Sequence, residues 1–203
     1  MKLDFGCGCG LPLELTPDRS RYHNWLTENP DAYGIDIDPA KLAQMARHVP
    51  DAKLIAADGH KLPFGDKTFD YVHVGAALHH MLNWHTGLKE VARVTKPGGQ
   101  VYILESIDND PIFRALRRIQ GSFRGDDIES YFKSDRLIRE VAKYYLITSI
   151  RHYWRFYLSD ILLNLNREPA VSLRFNNWVN SKMSDEFQYR MASHVVIEGI
   201  RNE

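Results

Sequence analysis

Residues 3–10 read LDFGCGCG, a short apolar strand carrying one acid, Asp4, and followed at once by glycines at alternate positions, Gly6, Gly8 and Gly10. Glycine lets a backbone turn sharply and come close to a ligand with no Cβ in the way. The three glycines therefore read as a contact loop of nucleotide size. A helix after such a loop turns its first amides, which lack internal partners, toward an anion. Ordinary tight turns also use alternating glycines, so the loop takes its meaning from what lies downstream.

Residues 32–38, AYGIDID, read as a second strand ending in Asp36 and Asp38. An acid at the tip of strand two accepts hydrogen bonds from the hydroxyls of a ribose. Asp36, directly after the apolar run Tyr33–Ile35, takes that part, while Asp38 before Pro39 reads as the N-cap of a helix starting at Pro39. Ile37 then lies beside the ribose, placed to cover one face of an adenine. A third strand, Lys53–Ala57, ends in Asp58 and Gly59. Asp58 is placed to accept from the exocyclic amine of a purine, with Ala57 and Gly59 keeping the backbone close; a plain strand-ending turn fits the same two residues.

The period of the apolar residues predicts strands at about 1–5, 32–36, 53–57, 69–74 and 100–105. Between them, Pro39–His48 carries Leu42, Met45 and Ala46 at helical spacing. Leu88, Val91, Ala92 and Val94 form an apolar stripe before the stop Lys96-Pro97-Gly98-Gly99. Alternating strands and helices imply a parallel sheet covered on both faces, with ligands at the carboxyl ends of the strands. All the acids and glycines singled out fall at those ends.

From Leu3 to about Glu105 the chain resembles the class I S-adenosylmethionine-dependent methyltransferases, in particular the group acting mostly on small molecules. The resemblance is carried by LDFGCGCG, YGIDIDPAKL, AADGHKLPFGDKTFDYVHVGAALHHM and LKEVARVTKPGGQVYILES. The LPF..KTFDYV and VARVTKPGG blocks discriminate, because dinucleotide oxidoreductases share the glycine turn and the strand-two acid but not these. The family implies an α/β fold: a doubly wound, mostly parallel seven-stranded sheet with helices on both faces, whose last strand inserts antiparallel. It implies S-adenosylmethionine as cofactor and S-adenosylhomocysteine as product. Gly6 and Gly8 would back the methionine part, with Phe5, Cys7 and Gly10 in the same loop and Asp4 near the amino group. Asp36 would hold the ribose, Asp58 the adenine amine, and the end of strand four near Gly75 the methionine end. Methyl transfer is an in-line displacement that alignment largely accelerates. An acceptor hydroxyl or protonated amine also needs a base. His80, in the run after strand four, suits that task, with His79 as the alternative; histidines that merely hold the loop fit the same run.

Beyond Glu105, Ser134–Tyr144 reads as a capped helix, Leu146–Ile150 as a sixth strand and residues 194–201, HVVIEGIR, as a seventh. Between the last two lies a helical, aromatic-rich insertion, His152–Ala192, with Tyr153, Trp154, Phe156, Tyr157, Phe175, Trp178, Phe187 and Tyr189 beside Arg151, Arg155, Arg167 and Arg174. It reads equally as a lid or substrate pocket and as an add-on that packs on the sheet edge or joins two copies in a homodimer. Two features depart from the family pattern. The chain starts almost inside strand one, without an upstream segment to close over the cofactor. Pro12 and Pro17 follow the glycines and delay the first helix to near Asp18.

With 203 residues, 44% hydrophobic and 26% charged, the chain has the make-up of one globular domain. Lys plus Arg and Asp plus Glu number 26 each, a balance that offers no general pull on nucleic acid; the basic run 114–124 reads as a solvated helix face. No run approaches the ~18 apolar residues of a membrane span, and no signal-peptide pattern opens the chain, which together predict a soluble, cytoplasmic protein. Cys7 and Cys9 are too close for an unstrained disulfide, and their one-residue spacing, without a second pair, argues against zinc even with His79, His80 and His85 downstream, so no metal is expected. These readings converge on methyl transfer from S-adenosylmethionine to an oxygen, nitrogen or carbon of a small molecule. The alternatives are a non-catalytic cofactor-binding subunit that works through a protein partner and a nicotinamide oxidoreductase.

Overall fold

Apolar residues at every second strand position sort the sheet into two buried faces. The structure, a computed structural model, describes residues 1–8, 26, 32–107, 109, 132–153 and 177–203. Its strands are β1 (Lys2–Phe5), β2 (Ala32–Asp36), β3 (Lys53–Ala56), β4 (Phe69–Gly75), β5 (Thr95–Ser106), β6 (Tyr145–Tyr153) and β7 (His194–Arg201). Its helices are α1 (Pro39–His48), α2 (Trp84–Val94), α3 (Ser134–Val141) and α4 (Asp185–Met191). On one face Leu3 and Phe5 of β1, Ile35 of β2, Val72 and Val74 of β4 and Val101 and Ile103 of β5 join the α2 stripe Leu88, Val91 and Ala92 and the α3 residues Leu137 and Val141 in a single core. Ala32 of β2 points the other way, into a second cluster with Cys7, Leu26 and the α1 residues Leu42 and Met45. Each fully buried side chain of this kind contributes about 1.5–3 kcal/mol.

The strand order is β3-β2-β1-β4-β5-β7-β6. Strands β1 to β5 pair in parallel, and β7 lies antiparallel to both of its neighbours. The expected seven-stranded, mostly parallel fold with an inserted antiparallel last strand is therefore present. From β1 the chain moves out to β2 and β3, then returns to β4 on the other side of β1. That reversal opens a crevice at the carboxyl ends of β1 and β4, the place where open α/β sheets bind ligands.

Several boundaries shift from the sequence reading. The fifth strand begins at Thr95, not Gln100, because Thr95 already pairs with Phe69 while the next pair is Tyr71 with Gln100. Residues 96–99 loop out between the two pairs, with Gly98 in the left-handed region at φ +74°. The Thr95 hydroxyl donates to the Val91 carbonyl at 2.6 Å and lies 3.0 Å from the Tyr145 hydroxyl, so helix end and strand start are tied together. The sixth strand runs on to Tyr153, pairing His152 with Val195 and Tyr153 with His194, so the first two residues of the expected insertion are sheet. The helix from Ser134 stops at Val141, three residues early. Asp38 caps α1, accepting from the Ala40 amide at 2.8 Å.

The two sequence blocks that carried most of the family resemblance are docked on each other. Arg93 of α2 donates to the carbonyl of Phe64 at 2.8 Å, to that of Leu62 at 3.3 Å and to Asp66 at 2.8 Å. It also forks onto Glu90 at 2.7 and 2.8 Å, and Glu90 accepts from the Leu62 amide at 2.8 Å. The Arg93 guanidinium holds the Glu90 carboxyl below its ordinary range. Among the described residues no helix is long and apolar enough to cross a membrane.

At the crevice, the turn after β1 and the segment after β4 meet backbone to backbone. Gly6 has φ +72° and Gly8 φ +61°. A Cβ at Gly6 would collide with that of Ala77, whereas one at Gly8 meets nothing within 4 Å among the described residues. Gly8→Ala is expected to cost only the left-handed backbone penalty, about 1–2 kcal/mol. Gly6→Ala should cost that and the collision as well. Urea denaturation of the two variants checks the order, and equal losses would show that the loops part freely.

Candidate active site

Each parallel strand releases its chain at the same edge of the sheet, so the residues just past β1, β2, β3, β4 and β5 gather there whatever their distance in sequence. Asp36 is the best held of them. Its Oδ2 accepts from the Gly8 amide at 2.9 Å and its Oδ1 from the Asp38 amide at 2.9 Å. The Cys7 amide donates to the Ile35 carbonyl at 2.8 Å, and the Ala57 amide donates to the Asp36 carbonyl at 3.0 Å. The tips of β1, β2 and β3 are thus stitched together around one carboxylate. Each of its oxygens has a second lone pair for a further donor. Beside it Ile37 is 72% exposed, an apolar side chain with no core to fill.

The other expected cofactor residues divide into wall and floor. Phe5 is buried, and its ring tip lies 2.6 Å from where a Cβ on Gly59 would stand, with Met81 Cε at 3.1 Å. Gly59 is therefore a close-packing position that lets the turn after β3 settle onto β1, and Phe5 is the floor beneath it. The Cys7 side chain is buried in the second core, so only its backbone faces the crevice. Asp58 Oδ1 accepts from the His60 amide at 2.8 Å and His60 Nδ1 at 2.7 Å. The backbone hydrogen bond from His60, aided by its ring, lowers the Asp58 pKa. Asp4 is buried on β1, with Oδ1 accepting from His73 Nδ1 at 2.8 Å, while its Oδ2 has no hydrogen-bond partner among the described residues. Gly10 and Cys9, Pro12 and Pro17, the run 114–124 and most of the aromatic insertion lie outside the described residues.

Past Gly75, Ala76 sits in the left-handed region at φ 53° and donates its amide to the Leu104 carbonyl at 2.7 Å. A left-handed alanine carries about 1–2 kcal/mol of strain, here spent on swinging the chain over Gly6 into the 3-10 turn Leu78–His80. Leu78 is fully buried and anchors that turn, which leaves the two histidines at the rim. They differ in how they are held. His80 is exposed. His79 Nδ1 donates to Glu105 Oε2 at 2.7 Å, and Glu105 has no solvent exposure. Its other oxygen, Oε1, accepts from the amides of Ala77 at 3.0 Å and Leu78 at 2.7 Å. The two imidazoles lie 4.1 Å apart between centroids.

Glu105 is the rim residue that pattern reading passed over. Its signal was a charge within the apolar run ending β5, at the edge where ligands bind.

Part of the insertion reaches the same edge. The hydroxyl of Tyr189, on α4, donates to Asp135 of α3 at 2.9 Å, and its ring packs 5.0 Å from that of His152. The Ser134 hydroxyl shares a hydrogen bond with His152 Nε2 at 2.7 Å, and burial pushes the His152 pKa down. Asn109 joins the group through the Tyr189 carbonyl at 3.1 Å and the Ser134 amide at 3.2 Å. Trp178 and Phe187 are exposed instead, at 60% and 47%.

Comparison with known proteins agrees with this arrangement. A family model described as a methyltransferase domain matches residues 3–103. Demethylmenaquinone methyltransferase of Corynebacterium urealyticum is 49% identical over 55 residues, 27% of this chain and 24% of that protein. The enzyme of the same name from Bacillus licheniformis is 40% identical over 82 residues, 39% of this chain and 35% of that one. These matches thus span only about a quarter to a third of the relatives' length. In fold, the chain is similar to a Bacillus halodurans protein with TM-score 0.65, at 17% identity over 100% of this chain and 92% of that one. It is also similar to the N-methyltransferase NodS of Bradyrhizobium japonicum, solved with S-adenosyl-l-homocysteine, with TM-score 0.60 at 12% identity over 99% and 76%. The [4+2]-cyclase SpnF shares the fold at TM-score 0.59 and 17% identity, over 99% of this chain and 74% of that one. With the strand order, the glycine turn and the strand-two acid already in place, the match over residues 3–103 makes this chain a member of the class I S-adenosylmethionine-dependent methyltransferase family.

Proposed function

We propose that the chain binds S-adenosylmethionine in the crevice at the carboxyl ends of β1, β2 and β4 and passes its methyl group to an oxygen, nitrogen or carbon of a small molecule. The observation that carries this reading is the Asp36 carboxylate, fixed by the Gly8 and Asp38 amides before any ligand arrives. A carboxylate so held meets two vicinal hydroxyls without reorganising, which is where preorganised sites gain their affinity. The residues suit the cofactor. Asp36 would take the ribose, exposed Ile37 one adenine face, the second oxygen of Asp58 the adenine amine, and the backbone at Gly6 and Gly8 the methionine portion. The bound cofactor would supply an electrophilic methyl group on a positively charged sulfur. The protein's part is to align an acceptor with it and to exclude water, and α4 with Tyr189 stands at the rim where an acceptor would enter. The antiparallel β7, inserted between β5 and β6, favours this reading over a nicotinamide oxidoreductase, whose mostly parallel sheet has the strand order 3-2-1-4-5-6. Demethylmenaquinone, from the relatives' name, belongs among the acceptors to be tried.

Calorimetric titration is expected to show binding of S-adenosylmethionine and S-adenosylhomocysteine and none of NAD. Asp36→Ala removes two charge-assisted hydrogen bonds of about 1.5–3 kcal/mol each, so a loss of about 100-fold or more in affinity should follow. Binding of NAD in place of the sulfur compounds would sink the proposal. Asp58→Ala removes one such bond and should weaken binding about tenfold or somewhat more. Incubation of the protein with methyl-labelled S-adenosylmethionine and a metabolite extract should move label onto a small molecule. Tight binding with no label transfer would identify a non-catalytic subunit instead.

A further inference from the structure

We propose that His152, at the end of β6, is a specificity residue that donates a hydrogen bond from Nδ1 to a carbonyl oxygen at the far end of the methyl acceptor. This rests on the methyl-transfer reading of the crevice. Strands β5 and β6 are both antiparallel to β7, so β6 ends at the same edge of the sheet as β5. There Glu105 of β5 pairs with Val195 of β7, and Val195 pairs with His152 of β6, which sets the three side chains in one row on one face. Glu105 holds the amides of Ala77 and Leu78, so the row begins under the segment that follows β4. Neighbouring strands lie ~4.8 Å apart, which puts His152 about 10 Å from Glu105 along the rim. An acceptor aligned on a methyl group at the tips of β1 and β4 reaches His152 only with its far end.

The tautomer follows from Ser134. That residue has no solvent exposure, and the one hydrogen-bond partner of its hydroxyl among the described residues is His152 Nε2, at 2.7 Å. Were Nε2 to donate, the hydroxyl hydrogen would be buried with no acceptor, which is costly. The hydroxyl therefore donates, Nε2 accepts, and the ring proton resides on Nδ1. Burial lowers the His152 pKa and so keeps the ring neutral. The ring is also held in place. Tyr189 packs against it at 5.0 Å and is itself fixed by its hydroxyl on Asp135 and by Asn109, which donates to the Tyr189 carbonyl and accepts from the Ser134 amide. Residues of α3, β6 and α4 thus converge on one imidazole that is only partly buried. Its Nδ1–H has no hydrogen-bond partner among the described residues. A donor fixed beforehand loses little freedom when a ligand arrives. Asp135, the charged side chain hydrogen-bonded into this group, is negative, so a neutral carbonyl suits the donor better than a carboxylate or a phosphate.

Two substitutions separate the ring nitrogens. In His152→Gln the amide reaches the Nε2 position, where its oxygen can still accept from Ser134, and nothing remains at Nδ1. In His152→Asn the amide lies at the Nδ1 position and can still donate there. The acceptor is first isolated as the small molecule that takes label from methyl-labelled S-adenosylmethionine in a metabolite extract, and it should bear a carbonyl group. His152→Gln should then raise its KM about tenfold with kcat little changed, and His152→Asn about threefold or less. Affinity for S-adenosylhomocysteine should be the same in all three proteins. A residue that only supports the fold would make both variants equally poor. Histidine nitrogen NMR at neutral pH, with His152 assigned by its loss in His152→Gln, should show the proton on Nδ1, and Ser134→Ala should convert it to a mixture of tautomers. A proton on Nε2 in the unaltered protein overturns the proposal without recourse to any variant. So do an unchanged KM in His152→Gln, equal losses in the two variants, and an acceptor with no carbonyl. If the unaltered protein binds no S-adenosylhomocysteine or transfers no label, the methyl-transfer reading falls and this proposal with it. If transfer is intact and the KM pattern is absent, the role of His152 alone falls.

Discussion

Gly6 and Ala77 pass so closely that neither chain could move toward the other, and the position of that crossing governs most of what surrounds it. It lies where the strand order reverses between β1 and β4. On the β1 side, the left-handed turn through Gly6 and Gly8 aims the Gly8 amide at Asp36 and thereby joins the tips of β1 and β2. On the β4 side, Ala76 accepts a strained backbone so that the chain can climb over the glycine and place Leu78 in the core and His79 against Glu105. Strain of this kind survives only where the neighbouring structure overdetermines it. Here the Leu104 carbonyl, the Glu105 carboxylate and the buried Leu78 supply that restraint.

The Glu90–Arg93 pair plays a second, purely architectural part. No helix stands between β3 and β4, so the segment from Leu62 to Asp66 has no secondary structure of its own to satisfy its backbone. Arg93 and Glu90 satisfy it instead, taking two carbonyls and an amide. The aromatic group Tyr33, Phe64 and Phe69, with edge contacts of 4.9 to 5.8 Å, seals the same segment against the sheet. These residues made the family recognisable, yet they lie away from the carboxyl-end crevice. Recognition here came from how the fold is braced rather than from its chemistry.

What could be read in advance follows from the range of the interactions. Strand and helix positions, the Asp38 cap and the Asp36 placement depend on residues close in sequence, on period two or three-point-six, or on a turn, and these were legible. The start of β5 at Thr95 was not, because it depends on pairing with Phe69 and on the hydroxyls of Thr95 and Tyr145, 50 residues apart. Glu105 escaped for the same reason: its partners lie 26 to 28 residues earlier, and in sequence it is one acid ending a strand. Phe5 and Gly59 are expected at the ligand, and their packing on each other is a contact between distant residues that no local pattern carries. The extension of β6 to Tyr153 likewise rests on pairing with β7 across some forty residues of chain.

Family and fold leave the reaction open, since a [4+2]-cyclase shares this architecture at a TM-score of 0.59. The crevice at the tips of β1 and β2 is built from backbone around the Asp36 carboxylate, with exposed Ile37 beside it. Chemistry must therefore be decided by side chains at the rim rather than by the architecture. Of the two histidines there, His80 is exposed, whereas His79 is held by a carboxylate that water does not reach. An imidazole restrained in that way loses little freedom when a proton transfer requires one geometry. The second oxygen of Glu105, turned toward His79, ties the segment after β4 to the end of β5, so the two rim histidines differ in how firmly the strand beside them sets their position.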